Sequence, residues 1–145
     1  MARVTILGSL APSAVELPFF LARLTAGFPS PAQDHLEHRF SIDDLMGLHR
    51  PQLFVARVEG HSLTGIGILD GDLVVIDKAL EARREDVIAA CLNGENLLKI
   101  FDFDQHQVVL RSANPKYPPR YVLEAEELHV WGVYVGLCRY GRHSG

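Results

Sequence analysis

The sequence predicts a mainly β fold: a compact β-rich domain with one short helix and a flexible N-terminal arm. From residue 53 onward, short runs rich in valine, isoleucine, leucine and aromatic residues alternate with turn residues, a pattern typical of strands. The 145 residues are 48% hydrophobic and 22% charged, which suits a single globular domain with a real core. Strands this short and closely spaced favour a sandwich or barrel-like sheet over a doubly wound α/β fold.

The first 28 residues form an apolar arm that proline interrupts. Pro12 and Pro18 limit helix formation, although residues 14–24 could form a short helix. The arm leads into Ala26-Gly27-Phe28-Pro29-Ser30-Pro31, where two prolines and a glycine favour extended, exposed backbone. This stretch is the predicted linker.

The elements beyond the linker follow from local sequence. Ser41 is a predicted N-cap for a short helix over residues 41–48, with Asp43 and Asp44 in its positive first turn. The predicted strands then follow in order: Leu53–Val58, Leu73–Ile76, Val87–Leu92, Leu97–Phe101, Gln107–Arg111, Tyr121–Leu123 and Leu128–Leu137.

Charge and hydropathy exclude some classes of function. The formal net charge is −4 and no run of basic residues is present, so nothing indicates direct, sequence-specific DNA binding. No apolar stretch approaches the ~18–20 residues that span a bilayer, and no secretion signal is recognisable. The sequence therefore predicts a cytoplasmic protein that does not contact a membrane.

Ser62 lies in a turn between two predicted strands. Gly60 and Gly65 flank it, and Gly67 and Gly71 follow, marking backbone that bends or is approached closely. A serine in such a turn is either a solvated loop residue or a presented nucleophile. For an isolated serine the first interpretation is the commoner one.

Lys99 interrupts an apolar strand, Leu97–Phe101. Either this strand lies at a sheet edge and the ammonium reaches water, or the amine is largely desolvated. The strand pattern alone favours the edge interpretation.

Ser62 and Lys99 indicate a function more clearly together than either residue does alone. A serine hydroxyl attacks poorly unless a base removes its proton, and a desolvated, neutral lysine can be that base. No histidine–aspartate pair has an obvious relation to Ser62, and His61 is interpreted as a turn residue whose side chain points away. Peptide N–H groups at the turn could form an oxyanion hole.

Several segments in order resemble the LexA/UmuD (S24) family of self-cleaving serine peptidases, and within it the UmuD-like branch. The spacings of Ser62 from Lys99 and from Ala26 also suit the UmuD arrangement. The segments are Ala26–Pro31, Gly60-His61-Ser62, Ile68–Asp77, Leu98-Lys99, Ser112–Pro118 and Val130–Val133.

The resemblance implies roles for residues of this chain. It makes Ser62 the nucleophile, Lys99 the general base and Ala26–Gly27 the scissile bond, so that residues 1–26 are the arm removed by self-cleavage. Residues 27–145 are then the β-rich peptidase and dimerisation domain. The short arm, without room for a winged helix-turn-helix, indicates the UmuD-like branch rather than a LexA-type repressor.

The resemblance also implies partners. A RecA-like filament on single-stranded DNA would stimulate cleavage after DNA damage, in the SOS response. The cleaved homodimer would then serve a UmuC-like, error-prone translesion polymerase as an accessory subunit.

Other functions remain open at this point. The chain could be a non-cleaving polymerase-binding module with a vestigial site, or a signal-peptidase-like enzyme, although it lacks a predicted membrane anchor. The sequence predicts no cofactor and no metal site. The polar residues after the linker, namely Asp34, His35, Glu37 and His38, are interpreted as solvated rather than as metal ligands.

Overall fold

A computed structural model describes residues 2–13, 16–20, 36–50 and 52–141. Its fold is mainly β, as predicted. The strands are β1 (Arg3–Ser9), β2 (Glu16–Phe20), β3 (Leu36–Ser41), β4 (Leu53–Glu59), β5 (Leu73–Asp77), β6 (Val87–Leu92), β7 (Glu95–Asp104), β8 (Gln107–Arg111), β9 (Arg120–Tyr121) and β10 (Leu128–Cys138), and helix α1 is Ile42–Met46. No helix in these described ranges has the length and apolar character needed to cross a membrane.

The chain divides into two compact units, the smaller of which is residues 11–51. Its helix α1 is the predicted one: Ser41 caps it, and Ser41 and Asp44 form a reciprocal capping box. The helix that the sequence allowed over residues 14–24 is wrong, because β2 occupies Glu16–Phe20 and pairs antiparallel with β3. Pro18 explains the difference, since proline breaks a helix interior but is tolerated in a two-stranded sheet.

The larger unit, residues 1–10 and 52–145, contains the antiparallel eight-stranded sheet. The strand order is β1-β4-β5-β10-β6-β7-β8-β9, and β1 also pairs with β7 through Arg3 and Leu97. The pairings therefore close a ring from β1 round to β7, with β8 and β9 outside it. This agrees with the barrel-like alternative from the sequence, and the start of β1 forms the closing seam.

Buried residues of the ring form two hydrophobic clusters. One of them includes Ala2 and Val4 of the first segment together with Leu63, Leu98 and Ile100. Ala2 and the Val4 side chain of β1 thus enter the same core as the residue after Ser62 and the residues on either side of Lys99. The core therefore fixes the segments that hold the candidate catalytic residues.

Candidate active site

Ser62 occupies the turn that leaves β4. The strand ends at Glu59, Gly60 takes a positive φ of 100°, and a 3₁₀ turn follows at Thr64–Ile66. Gly60 reverses the chain at this point, in a conformation that suits glycine. The Ser62 side chain is 0% exposed, so the solvated-loop interpretation does not hold.

The segment Ser112–Asn114 holds this turn from outside. The N–H of Ala113 donates to the Ser62 carbonyl at 2.7 Å, and Asn114 Nδ2 donates to the His61 carbonyl at 2.8 Å. In return, the N–H of Gly65 donates to the Ala113 carbonyl at 2.7 Å. These bonds fix the backbone on both sides of Ser62.

Gly65 is needed for this approach. A Cβ at residue 65 would lie 2.3 Å from the carbonyl oxygen of Ala113, a backbone atom that cannot rotate away. Glycine is therefore the residue that lets the two backbones meet here.

Lys99 is buried in the interior of the sheet. Its strand, β7, pairs with β6 on one side and with β8 on the other, and Lys99 is 2% exposed. The edge-strand interpretation from sequence is therefore wrong, and the desolvated one is confirmed. Because burial penalises the ammonium, the pKa of Lys99 is lowered from its ordinary value.

The side chains of Ser112 and Tyr117 lie beside the Lys99 amine. Its Nζ donates a hydrogen bond of 2.6 Å to Ser112 Oγ and lies 5.9 Å from the centre of the Tyr117 ring. Ser112 directly precedes Ala113, whose N–H holds the Ser62 carbonyl. Ser62 and Lys99 are thus bonded to consecutive residues of one short segment.

Ala2 is hydrogen-bonded both to Ser62 and to the strand that carries Lys99. Its N–H donates to Ser62 Oγ at 2.6 Å, and its carbonyl accepts from the N–H of Leu98 at 3.1 Å. Ala2 is 0% exposed, and Arg3 continues the strand by pairing with both Glu59 and Leu97. Extended peptide backbone therefore lies between the Ser62 turn and the strand of Lys99.

An ion pair supports the loop after Ser62. The Asp72 carboxylate, 2% exposed, accepts from Arg139 through Nε and Nη2, both at 2.6 Å, and from the N–H of Leu69 at 2.7 Å. Arg139 also donates to the Gly67 carbonyl at 2.8 Å. The guanidinium hydrogen bond holds the pKa of Asp72 below its usual range.

The structure describes some of the other predicted site residues but not all of them. Ala26 and Gly27 lie outside the described residues, as do Asp34 and His35. His61 is exposed, as expected for a turn residue. In the described part of the chain, no group of three or more histidine, cysteine, aspartate or glutamate side chains could hold a metal.

Sequence reasoning missed three contributors: Ala2, Ser112 and Arg139. Ser112 belongs to one of the segments that resemble the family, but nothing in the sequence indicated that its side chain contacts Lys99. Ala2 and Arg139 contact residues 60 and 67 positions away, so no local pattern could reveal them.

Comparisons with known proteins agree with the fold and identify its family. The model of the Peptidase S24-like family matches residues 18–135. A LexA repressor of Verrucomicrobium spinosum is 37% identical over 127 residues, which are 86% of this chain and 61% of that repressor. LexA repressors of Shewanella piezotolerans and of Leptospira interrogans serovar Lai are 35% and 31% identical, over 90% of this chain and 64% and 63% of their own lengths. The chain thus spans less than two thirds of each of these relatives.

Proposed function

The chain belongs to the Peptidase S24-like family, and from that premise we propose that it is a serine peptidase that cuts its own Ala26–Gly27 bond. One observation carries this proposal: the buried Ser62 hydroxyl lies against peptide backbone instead of water. The desolvated Lys99 amine, bonded to the segment that holds the Ser62 turn, supplies a base. A hydroxyl, a base and room for extended peptide are the parts that peptide-bond cleavage requires.

In the proposed first step, Ser62 Oγ attacks the carbonyl carbon of Ala26 while its proton passes to the neutral Nζ of Lys99. Collapse of the tetrahedral intermediate breaks the bond to Gly27, whose nitrogen takes the proton from Lys99. Residues 1–26 are then held on Ser62 as an ester. The lowered pKa of Lys99 supports this role, because a charged amine cannot accept the proton.

In the second step, water attacks the ester and gives a proton to Lys99. The ester bond breaks as Lys99 returns that proton to Ser62 Oγ, and the Ala26 carboxylic acid leaves and releases its proton to solvent. The N–H groups of Ser62 and Leu63 donate to no acceptor in the described part of the chain, which leaves them available to an oxyanion.

Self-cleavage requires Ala2 to leave the site. Ser62 Oγ accepts the Ala2 N–H, and the Ala2 carbonyl is held by Leu98, so Ala2 is not itself positioned for attack. The scissile bond needs the same place beside Ser62. The resting contact therefore competes with the proposed substrate.

We also propose the cellular role of a UmuD-like protein. A RecA-like filament on single-stranded DNA would stimulate cleavage, and the homodimer of residues 27–145 would serve a UmuC-like translesion polymerase. The spacings of Ser62 from Lys99 and from Ala26, which suit the UmuD arrangement, support this branch. We expect residues 27–145 to co-purify with such a polymerase. An uncut Ser62→Ala chain should not co-purify with it.

A second candidate is the self-cleaving portion of a repressor, because the curated relatives reported above are LexA repressors. The two candidates share the chemistry and differ in the partner. Retention of specific fragments of the source genome by an uncut protein that carries this portion, lost on cleavage, would favour the repressor. Retention of the polymerase alone would favour the UmuD-like role.

The cleavage site itself is tested by sequencing the products. The purified chain is incubated with and without a RecA filament on single-stranded DNA, and we expect Gly27 as the new N-terminus. Ala26→Asp should block the cut, since a charged side chain replaces a methyl group at the scissile bond, whereas Ala11→Asp should not. A different new N-terminus would contradict the proposed site.

A further inference from the structure

Among the described residues, one side-chain hydrogen bond holds the Lys99 amine. Lysine has a flexible four-carbon stem, so burial alone does not fix where its nitrogen lone pair points. Within the described residues, Ser112 Oγ is the hydrogen-bond partner of Nζ, at 2.6 Å. That contact determines the orientation of the amine.

Ser112 is itself tied to the nucleophile. Ala113 donates to the Ser62 carbonyl and accepts from Gly65, so the backbone that carries Ser112 is bonded to the Ser62 turn twice. Asn114 adds a third bond, to the His61 carbonyl. A displacement of Ser112 would therefore move the amine relative to the hydroxyl it serves.

We propose that Ser112 is the positioning residue of the site, fixing the Lys99 amine against the Ser62 turn; this inference rests on the proposed self-cleavage. A neutral amine has two N–H bonds and one lone pair. When one N–H donates to Ser112 Oγ, the amine can no longer turn freely, and the lone pair is kept for the Ser62 proton. Ser112 does not itself touch the scissile bond.

The contact also persists through the proton transfer. Ser112 Oγ accepts from the neutral amine and can go on accepting from the ammonium, which it favours slightly as an acceptor. Tyr117 is the titratable side chain recorded beside Nζ, and it lies 5.9 Å away. Removal of the Ser112 hydroxyl should therefore lower the pH midpoint at which Lys99 loses its proton, while making the amine a worse base through misorientation.

The kinetic test compares self-cleavage across alkaline pH in the full chain. Ser112→Ala should lower the plateau rate by about 10- to 100-fold and move the midpoint to lower pH. Ser112→Thr, which keeps a hydroxyl, should restore both, and Glu81→Ala, at an exposed residue outside the site and β1, should change neither. An unchanged rate, an unmoved midpoint, or no rescue by threonine would overturn the proposal.

A second measurement separates this inference from the proposed function. Lys99 Nζ can be titrated by NMR in chains with ¹⁵N-labelled lysine carrying Ser62→Ala, where no cleavage is expected. A lower midpoint in Ser112→Ala, restored in Ser112→Thr, would support the inference even if the wild type failed to cleave. An identical titration in all three would contradict it, whatever the cleavage result.

Discussion

The main-chain N–H of Ala2 lies 2.6 Å from Oγ of Ser62, and the two residues are 60 positions apart in sequence. This bond puts the residue before β1 beside Ser62, where the proposed mechanism would place the scissile peptide. It also closes the ring of strands, since Arg3 pairs with β4 and β7 together. The closing seam of the barrel therefore lies next to the candidate nucleophile, Ser62.

Holding β1 in place should block self-cleavage. Thr5 and Arg57 face each other across β1 and β4 and are both exposed, and directly opposed residues in an antiparallel pair are near enough for a disulfide. The double variant Thr5→Cys/Arg57→Cys should cleave at least about tenfold more slowly when oxidised than when reduced. The rate is followed by intact mass.

This experiment needs a background without the free cysteines Cys91 and Cys138, each replaced by serine. The single variant Thr5→Cys, treated with the same oxidant, is the matched control. Equal rates in the oxidised and reduced double variant would show that β1 does not have to move.

Self-cleavage should rise with pH. Burial lowers the pKa of Lys99, so the neutral, basic form appears below the value near 10.4 of a free lysine. We expect the rate to increase through that lowered pKa and level off above it. Initial rates measured across alkaline pH at constant ionic strength give the midpoint. A midpoint at or above the value of an exposed lysine would contradict the desolvated base.

Lys99 should also make folding stability depend on pH. The folded-state pKa lies below the unfolded one, so between the two values the unfolded chain binds more protons and stability rises with pH. At lower pH the full cost of burying the charged amine remains. Lys99→Met should therefore raise Tm at pH 7, by an amount that shrinks toward pH 10.

The control for that comparison is Lys116→Met, because Lys116 is exposed. Its Tm should follow the wild type at every pH. If Lys99→Met lowered Tm at pH 7, the hydrogen bond to Ser112 would outweigh the cost of burying the amine.

Gly65→Ala should damage both fold and activity. The new Cβ would meet the Ala113 carbonyl oxygen at 2.3 Å, forcing apart the Ser62 turn and the segment that holds it. Overpacking of this kind costs about 1–3 kcal/mol in unfolding free energy. Chemical denaturation measures the loss, and Gly141→Ala, with open space around its Cβ, is the matched control. Equal stabilities would show that the close approach is not required.

Acid should weaken the loop after Ser62. Since Arg139 lowers the pKa of Asp72, this carboxylate contributes stability that is complete above its unfolded value near 3.9 and is lost as the pH falls through the folded value. Asp72→Asn should therefore lower Tm at pH 7. The difference from the wild type should shrink at pH 3 and below. A constant difference would mean that the charge of Asp72 is unimportant.

Much of the fold follows from local sequence. The strands from β4 to β10 coincide closely with the apolar runs between turn residues, and Ser41 marked the helix because its capping bonds are made within four residues. β1 was missed because most of its side chains are exposed, and its pairing partners lie far along the chain.

The site was predictable only in part. A lysine in an apolar strand signals something unusual, but edge and interior positions look alike until the neighbours of β7 are known. The motifs gave Ser62 and Lys99 together, whereas the Ser112 and Ala2 contacts arise from packing between distant segments. Local sequence patterns thus predicted which side chains are the candidate catalytic groups, whereas the orientation of these side chains depends on tertiary structure.

The most direct test of the central claim is the intact mass of the purified chain during incubation at alkaline pH, beside Ser62→Ala and Lys99→Ala. We predict that the wild type loses residues 1–26 and that each variant is slower by at least about a thousandfold. Cleavage that persists in Ser62→Ala would contradict the assigned nucleophile. A wild type that stays whole, even with a RecA filament present, would contradict the peptidase itself.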